Sequence, residues 1–227
     1  MNPRKKKMAG LSTVRRLAGY HHDLCRLKNK GRDSVSSTEL AEELALEPVQ
    51  VRKDLSRTGV TGKPRVGFPV DEAIAAIEEF LGWDNTSDAV LVGVGSLGTA
   101  LLGYEGFTDY GLNILAAFDA DEDKVGTDVR GYRVLPMDEL GETVGRLQLQ
   151  VGIVTVPDSA AQDVIDELVD AGIRGIWNFA PMTPRVPEHV VVQNEDLAAG
   201  LAVLSVQLSK GQQRTGGSRP RPGGSRQ

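Results

Sequence analysis

The sequence predicts an α/β protein in two modules: a small N-terminal helix-turn-helix unit, and a larger domain whose parallel sheet is covered by helices on both faces. Three observations predict it. Apolar residues recur at three- and four-residue steps up to about residue 81, then from Ala89 onward gather into strand-length runs that alternate with helical segments. Charge divides at nearly the same place: residues 1–67 hold 15 Lys and Arg against 7 Asp and Glu, whereas residues 68–210 hold 7 against 24. Between the first apolar run and the next helix stands Gly93-Val94-Gly95-Ser96-Leu97-Gly98, a glycine pattern that belongs at a strand-to-helix turn.

Taken in order, the first helix begins near Ser12, whose side chain suits an N-cap, and carries Leu17, Tyr20, Leu24 and Leu27 on one stripe. Ser36 and Glu39 have capping-box spacing and open a short second helix with Leu40, Ala41 and Leu44 inward. Pro48 suits the first position of a third helix that buries Val51 and Leu55 and stops near Gly59. Two short helices about a tight turn outline a helix-turn-helix. The glycine-bracketed stretch Val60 to Phe68 reads as a β-wing, and Asp71 begins a fourth helix with Ile74, Ile77 and Leu81. A winged-helix domain therefore spans residues 12–82, after a basic tail (1–11) expected to be disordered.

The second domain, residues 88–195, is assigned strands at 89–94, 114–118, 151–156, 173–179 and 190–192, with helices at 97–105, 137–144 and 158–171. An apolar helix at 196–210 carries Leu197, Leu201, Leu204, Val206 and Leu208. Residues 211–227, rich in Gly, Ser, Arg and Pro, read as a disordered tail.

Composition narrows the function. The net charge of −5 conceals a cationic N-terminal part, which suggests a nucleic-acid-binding module joined to a domain that does not touch DNA. The basic run Arg4 to Lys7 is not followed by an apolar h-region and no run of about 18 apolar residues occurs, so neither a signal peptide nor a membrane span is expected and the cytoplasm is the expected compartment. A single cysteine, Cys25, and three histidines (His21, His22, His189) predict neither a disulfide nor a metal site, and Cys25 is expected to pack in the core.

The motifs carry the chemistry. Gly93 allows a tight turn, Gly95 lets the backbone approach a pyrophosphate, and Gly98 lets helix and strand pack closely; the helix N-terminus then offers N–H groups and a positive dipole end to phosphates. Asp119 ends the next strand, 21 residues after Gly98, where a carboxylate accepts hydrogen bonds from ribose hydroxyls and repels a 2′-phosphate. NADH and NAD⁺ are thus favoured over their phosphorylated forms. Thr155-Val156-Pro157 and Asn178-Phe179-Ala180-Pro181 end later strands and are candidates for lining the nicotinamide pocket. In the third helix, Gln50, Arg52, Lys53, Ser56 and Arg57 lie away from Val51 and Leu55, as base and phosphate contacts in a major groove require. Ser37 and Thr38 at the preceding helix start, with Lys63 and Arg65 in the wing, are candidate backbone or minor-groove contacts.

Together these motifs resemble the redox-sensing transcriptional repressors called Rex. The quoted segments Ser-Ser-Thr-Glu-Leu-Ala (36–41), Val-Arg-Lys-Asp-Leu-Ser (51–56), Gly-Val-Gly-Ser-Leu-Gly (93–98), Phe-Asp-Ala-Asp (118–121), Thr-Val-Pro (155–157) and Asn-Phe-Ala-Pro (178–181) occur in that family's order. The resemblance covers about residues 12–209. It implies a homodimer bound to double-stranded operator DNA, with the C-terminal helix exchanged between subunits. It further implies that NADH binding releases DNA while NAD⁺ permits repression, and that Tyr104 and Asp196 join a cofactor-sensitive hydrogen-bond network. His22 stands where the family has the network arginine, Leu197 where it has a phenylalanine, and Arg57-Thr58-Gly59 where it has Tyr-Phe-Gly.

The principal alternative is an NAD-dependent oxidoreductase with an accessory DNA-binding domain. Such an enzyme needs a proton donor or acceptor beside the nicotinamide, yet no His, Lys or Tyr stands in the loops at 155–157 or 178–181. Tyr104 is the one candidate near the phosphate-binding helix. A CoA- or nucleotide-binding scaffold without DNA binding is a further rival, against which the cationic N-terminal segment argues.

Overall fold

The computed structural model describes residues 10–84 and 87–215. The expected basic run Arg4 to Lys7 and the tail beyond residue 215 lie outside the described residues. The chain divides into two compact units: one holds the chain up to Ser87 together with residues 105–113, the other residues 88–104 and 114 onward.

In the first unit, α1 (Leu11–Asn29) starts one residue before Ser12 and takes Gly10 as its N-cap, so the Ser12 side chain is not the cap. α1 is followed by β1 (Ser34–Val35) and α2 (Ser37–Glu43), whose Ser36 Oγ accepts the Glu39 N–H at 3.1 Å as the capping-box spacing required. α3 (Pro48–Thr58) has Pro48 in its first turn and ends at Gly59 in the left-handed conformation, φ 95°. β2 (Phe68–Pro69) pairs antiparallel with β1, and the wing tip closes where the Lys63 and Gly67 backbones exchange hydrogen bonds of 2.7 and 2.9 Å. α4 (Val70–Leu81) completes the unit, packing along α1.

Leu17, Tyr20 and Leu24 of α1, Leu40 of α2, Val51 and Leu55 of α3 and Ile77 of α4 meet in one core. Each such side chain contributes roughly 1.5–3 kcal/mol on full burial, which seats the short α2 and α3 that could not be stable alone. Cys25 packs against this core, and burial pushes its thiol up. His21 is also buried, with Nε2 2.8 Å from Glu78 Oε1 and its ring against Trp83 (5.1 Å) and Tyr110 (5.9 Å). Through Tyr110, residues 105–113 join this unit rather than continuing a helix. They form a 3-10 turn at Glu105–Tyr110, so the helix expected at 97–105 is shorter than its pattern.

The second unit is a seven-stranded sheet. β3 (Ser87–Val92), α5 (Ser96–Leu102) and β4 (Leu112–Phe118) precede a hairpin of β5 (Asp128–Val129) and β6 (Tyr132–Leu135). α6 (Leu140–Leu147), β7 (Val151–Val154), α7 (Asp158–Asp170), β8 (Gly175–Asn178) and β9 (Val191–Asn194) follow. The strand order is β5-β6-β4-β3-β7-β8-β9; β4–β6, β3–β7, β7–β8 and β8–β9 pair parallel, and β5–β6 pairs antiparallel. The hairpin was not expected: its two strands total six residues, and its turn, Arg130-Gly131 with φ of 54° and 87°, lacks the usual Asn-Gly signal.

α8 (Leu197–Thr215) runs five residues past the expected end at 210, because Lys210, Gln212, Gln213 and Arg214 are good helix formers and one glycine does not stop them. Asp196 caps it, its Oδ1 accepting the Ala198 and Ala199 N–H groups at 2.8 and 3.1 Å. Every side chain from Ala198 to Ser209 is exposed.

Candidate functional site

At the carboxyl ends of β3, β4, β7 and β8 a cavity of about 470 Å³ opens, at the point where the chain order reverses between β4 and β7 on either side of β3. That is the size range of small-molecule sites. Of the residues expected there, Gly93, Gly95, Leu97, Asp119, Thr155, Pro157 and Phe179 line it.

The glycines divide into builders and an opening. Gly93 has φ 100°, and a Cβ on it would lie 2.7 Å from Val156 Cγ1 and 2.8 Å from the Thr155 carbonyl. A Cβ on Gly98 would overlap the Gly93 carbonyl oxygen and lie 2.9 Å from Thr155 Oγ1. Thr155 ties the turn together by donating its hydroxyl toward the carbonyls of Gly93 (2.7 Å) and Val92 (3.1 Å). Around Gly95, by contrast, nothing lies within 4 Å of a built Cβ, so its backbone faces the open cavity. This is the cradle that close approach of a pyrophosphate needs. Ser96, exposed, begins α5 beside it.

Asp119 sits at the end of β4, almost fully buried, and one of its oxygens accepts the Val94 N–H at 2.7 Å. Val94 thus serves through its backbone. The Asp121 N–H donates to the other oxygen at 2.9 Å, and Lys124 Nζ reaches the first at 3.0 Å. Burial alone pushes the Asp119 carboxyl up, but the Asp121 N–H, Lys124 and the Val94 N–H outweigh it and hold the group below its ordinary value. Lys124 was missed as a site residue; its signal was a lone lysine five residues after the strand-end acid. Met137, Ala160 and Val164 also line the cavity and were unexpected. They come from separate segments that only the fold brings together.

Two expected residues have other duties. Asn178 is fully buried: its Nδ2 donates to the carbonyls of Ala180 and Met182, both at 3.1 Å, and to Asn194 Oδ1 at 2.9 Å, while its Oδ1 accepts the Ala180 N–H. With its polar atoms engaged, Asn178 shapes the loop, and buried Ala180 is held by it; only Phe179 of that trio reaches the cavity. Tyr104 and His22 are exposed, while Asp196 caps α8.

On the first unit, α3 exposes Arg52, Lys53, Ser56 and Arg57, and the wing exposes Lys63 and Arg65, the latter at φ 64°. Thr38 is exposed and Ser37 half-buried at the start of α2. Gln50 and Arg57 are engaged internally, Gln50 donating to Asp54 at 3.0 Å and Arg57 to Thr13 Oγ1 at 2.7 Å. Ser56 donates to the Arg52 carbonyl at 2.7 Å, and Lys63 lies 3.7 Å from Glu72. The hub is Asp54, whose side chain is fully buried. Arg16 donates to it twice, at 2.7 and 3.1 Å, and Tyr20 at 3.2 Å. Burial opposes the Asp54 charge, yet Arg16 and Gln50 hold its carboxyl below its ordinary value; burial and then Asp54 push Tyr20 up to about 12. Sequence reasoning missed this hub, although an acid on the Val51/Leu55 stripe signals a buried partner.

Comparison with known proteins agrees with both halves. The family model described as "Putative DNA-binding protein N-terminus" matches residues 11–56, and the CoA binding domain model matches residues 84–182. The redox-sensing transcriptional repressor Rex of Treponema denticola is 46% identical over 90% of this chain and 98% of its own length. The corresponding repressor of Bacteroides fragilis is 43% identical over 87% of this chain and 90% of its own. Among solved structures, RSP, a Rex-family repressor, in complex with β-NAD⁺ and operator DNA superposes with a TM-score of 0.83 at 30% identity, covering 94% of this chain and 100% of that one. RSP in complex with β-NADH gives 0.83 at 30% identity over 92% and 98%. Matched along nearly its whole length in sequence and in fold, the chain belongs to the Rex family of redox-sensing transcriptional repressors.

Proposed function

We propose that this protein represses transcription by binding operator DNA through α3 and the wing, senses the NADH/NAD⁺ balance in the cavity of its second unit, and leaves the operator when NADH binds. The observation that carries this reading is the cavity itself. The open backbone at Gly95, the turn built by Gly93 and Gly98 and the strand-end acid Asp119 converge at the carboxyl ends of the central strands, in a chain whose other unit presents a cationic helix. Arg52 and Lys53 contact the major groove, Lys63 and Arg65 the flanking backbone or minor groove, and Ser37 and Thr38 a phosphate.

NADH and NAD⁺ share adenosine and pyrophosphate, which Gly93, Gly95, Ser96, Leu97 and Asp119 hold alike. Discrimination belongs to the nicotinamide end, near Thr155, Pro157 and Phe179, where apolar surroundings disfavour the oxidised ring's charge. α8 exposes Leu201, Val203, Leu204, Val206 and Leu208 at 51–64%. An apolar helix unsupported by its own unit needs a partner, and a second copy supplies it in a homodimer with exchanged C-terminal helices. Tyr104, Asp196 and His22 then link cofactor state to the winged helices, and the repressor works in the cytoplasm, where its operator is.

The oxidoreductase alternative is disfavoured by the cavity's chemistry. Among the described residues that line it, the proton-exchanging side chains Asp119 and Lys124 are paired with each other at the strand end that takes the ribose, away from the loops assigned to the nicotinamide. The test is a gel-shift titration of operator fragments with NADH, NAD⁺ or neither. NADH is expected to release DNA at lower concentration than NAD⁺; equal effects of the two cofactors would refute the switch.

A further inference from the structure

The acid that recognises the ribose is not electrostatically alone. Asp119 shares its Oδ2 between the Val94 N–H and Lys124 Nζ, and Lys124 also lies 3.5 Å from Asp121 Oδ2. Lys124 lines the cavity, and its side chain is 39% exposed. Its ammonium therefore stands at the rim, within reach of a group entering beside Asp119. Rejection of a 2′-phosphate rests on like-charge repulsion, and that repulsion depends on the net local charge, which here is two carboxylates offset by one ammonium. A lysine so placed also offers three donors to any phosphate that displaces it from the carboxylates.

We propose that Lys124 is a specificity-determining residue of the dinucleotide pocket: paired with Asp119, it tempers the rejection of a 2′-phosphate, so that the choice of NADH over NADPH is set by the pair and not by the acid alone. This rests on the assignment of the cavity to NAD(H). It has a consequence that the acid alone does not give, since changes at the two residues must move the NADH/NADPH preference in opposite directions. Removing the ammonium leaves Asp119 and Asp121 unopposed and sharpens rejection of NADPH. Removing the Asp119 charge frees the ammonium to hold the phosphate.

The experiment is calorimetric titration of the full-length protein with NADH and with NADPH, for the wild type, Lys124→Met, Lys124→Arg and Asp119→Asn, at two salt concentrations. Lys124→Met is expected to raise the NADH/NADPH affinity ratio roughly tenfold, the scale of one close charge interaction. Lys124→Arg should keep the wild-type ratio, and Asp119→Asn should lower it. The differences should shrink at high salt, which a mere packing role would not produce. A Lys124→Met ratio that is unchanged or lowered, in protein that still binds NADH and shows wild-type circular dichroism, overturns the inference while leaving the cavity assignment standing. Wild-type protein that binds neither dinucleotide overturns both.

Discussion

Alanine at Gly95 and alanine at Gly98 are the same chemical change three residues apart, and the structure predicts opposite consequences for them. A methyl at Gly98 meets the Gly93 carbonyl oxygen and Thr155 Oγ1, both part of the turn held by the 2.7 Å Thr155–Gly93 hydrogen bond. Overpacking of this kind costs about 1–3 kcal/mol, and loss of the hydrogen bond about 1 more. Gly98→Ala should therefore destabilise the second unit by about 2–4 kcal/mol, lowering its thermal midpoint by roughly 5–15 °C. Gly95 has φ −83°, open to any residue, and free space around its Cβ. Gly95→Ala should leave the midpoint within roughly 2 °C, since surface changes without such clashes cost under about 0.5 kcal/mol. Its methyl enters the space a pyrophosphate needs, so NADH affinity should fall at least about tenfold, or 1.4 kcal/mol. Thermal unfolding followed by circular dichroism, paired with NADH titration by fluorescence, measures both. A Gly95→Ala protein that melts as wild type and binds NADH normally would refute the cradle, and a Gly98→Ala protein of unchanged stability would refute the packing argument.

Asp54→Ala leaves Arg16, Tyr20 and Gln50 without their common acceptor, and breaking a buried pair costs about 3–5 kcal/mol; with Arg16 partly solvated, a loss near 3 kcal/mol is expected in chemical denaturation, with weakened operator binding. Acid should act through the same group: Asp54 and Asp119 lie below their ordinary 3.8, so the folded state binds fewer protons than the unfolded one in that range. Their contribution is complete above about pH 5 and declines as pH falls through 3.8 and below, which unfolding midpoints measured between about pH 3 and 7 should follow; flat stability over that window would contradict it. Arg52→Ala and Lys53→Ala should weaken operator binding while leaving NADH affinity unchanged, and Lys53→Ala should lower the salt slope of log K by about one unit. If α8 forms the proposed homodimer interface, Leu201→Glu with Leu204→Glu should give a monomer mass in sedimentation where the wild type gives a dimer, whereas an equal mass for the two proteins would remove α8 from the interface.

Much of this protein was legible from local pattern, because local chemistry decides it. The Ser36/Glu39 spacing, Pro48 in the first turn and Gly59 after the last one delimit α2 and α3 through neighbouring backbone groups alone. Gly93, Gly98 and the strand-end Asp119 announced the pocket for the same reason, since a strand, a tight turn and a helix are adjacent in sequence. The hairpin of β5 and β6 was invisible because two- and four-residue strands carry no period, and its existence depends on β6 pairing with β4.

What only the tertiary structure decided is how the polar side chains are bonded to one another. Asn178 reads as a cofactor contact and Gln50 and Arg57 as base readers, and in the fold each is bonded within the protein: Asn178 to Asn194, Arg57 to Thr13, and Gln50 to Asp54 one turn away, an acid that Arg16 of α1 also holds. Lys124 went the other way, from an unremarked loop residue to the partner of Asp119. Residue type and spacing determine what a side chain is able to bond, and burial then forces each polar atom to take the nearest satisfying partner. That partner is set by chain segments that sequence separation conceals, so the elements could be read from the sequence while the wiring among their side chains required the fold.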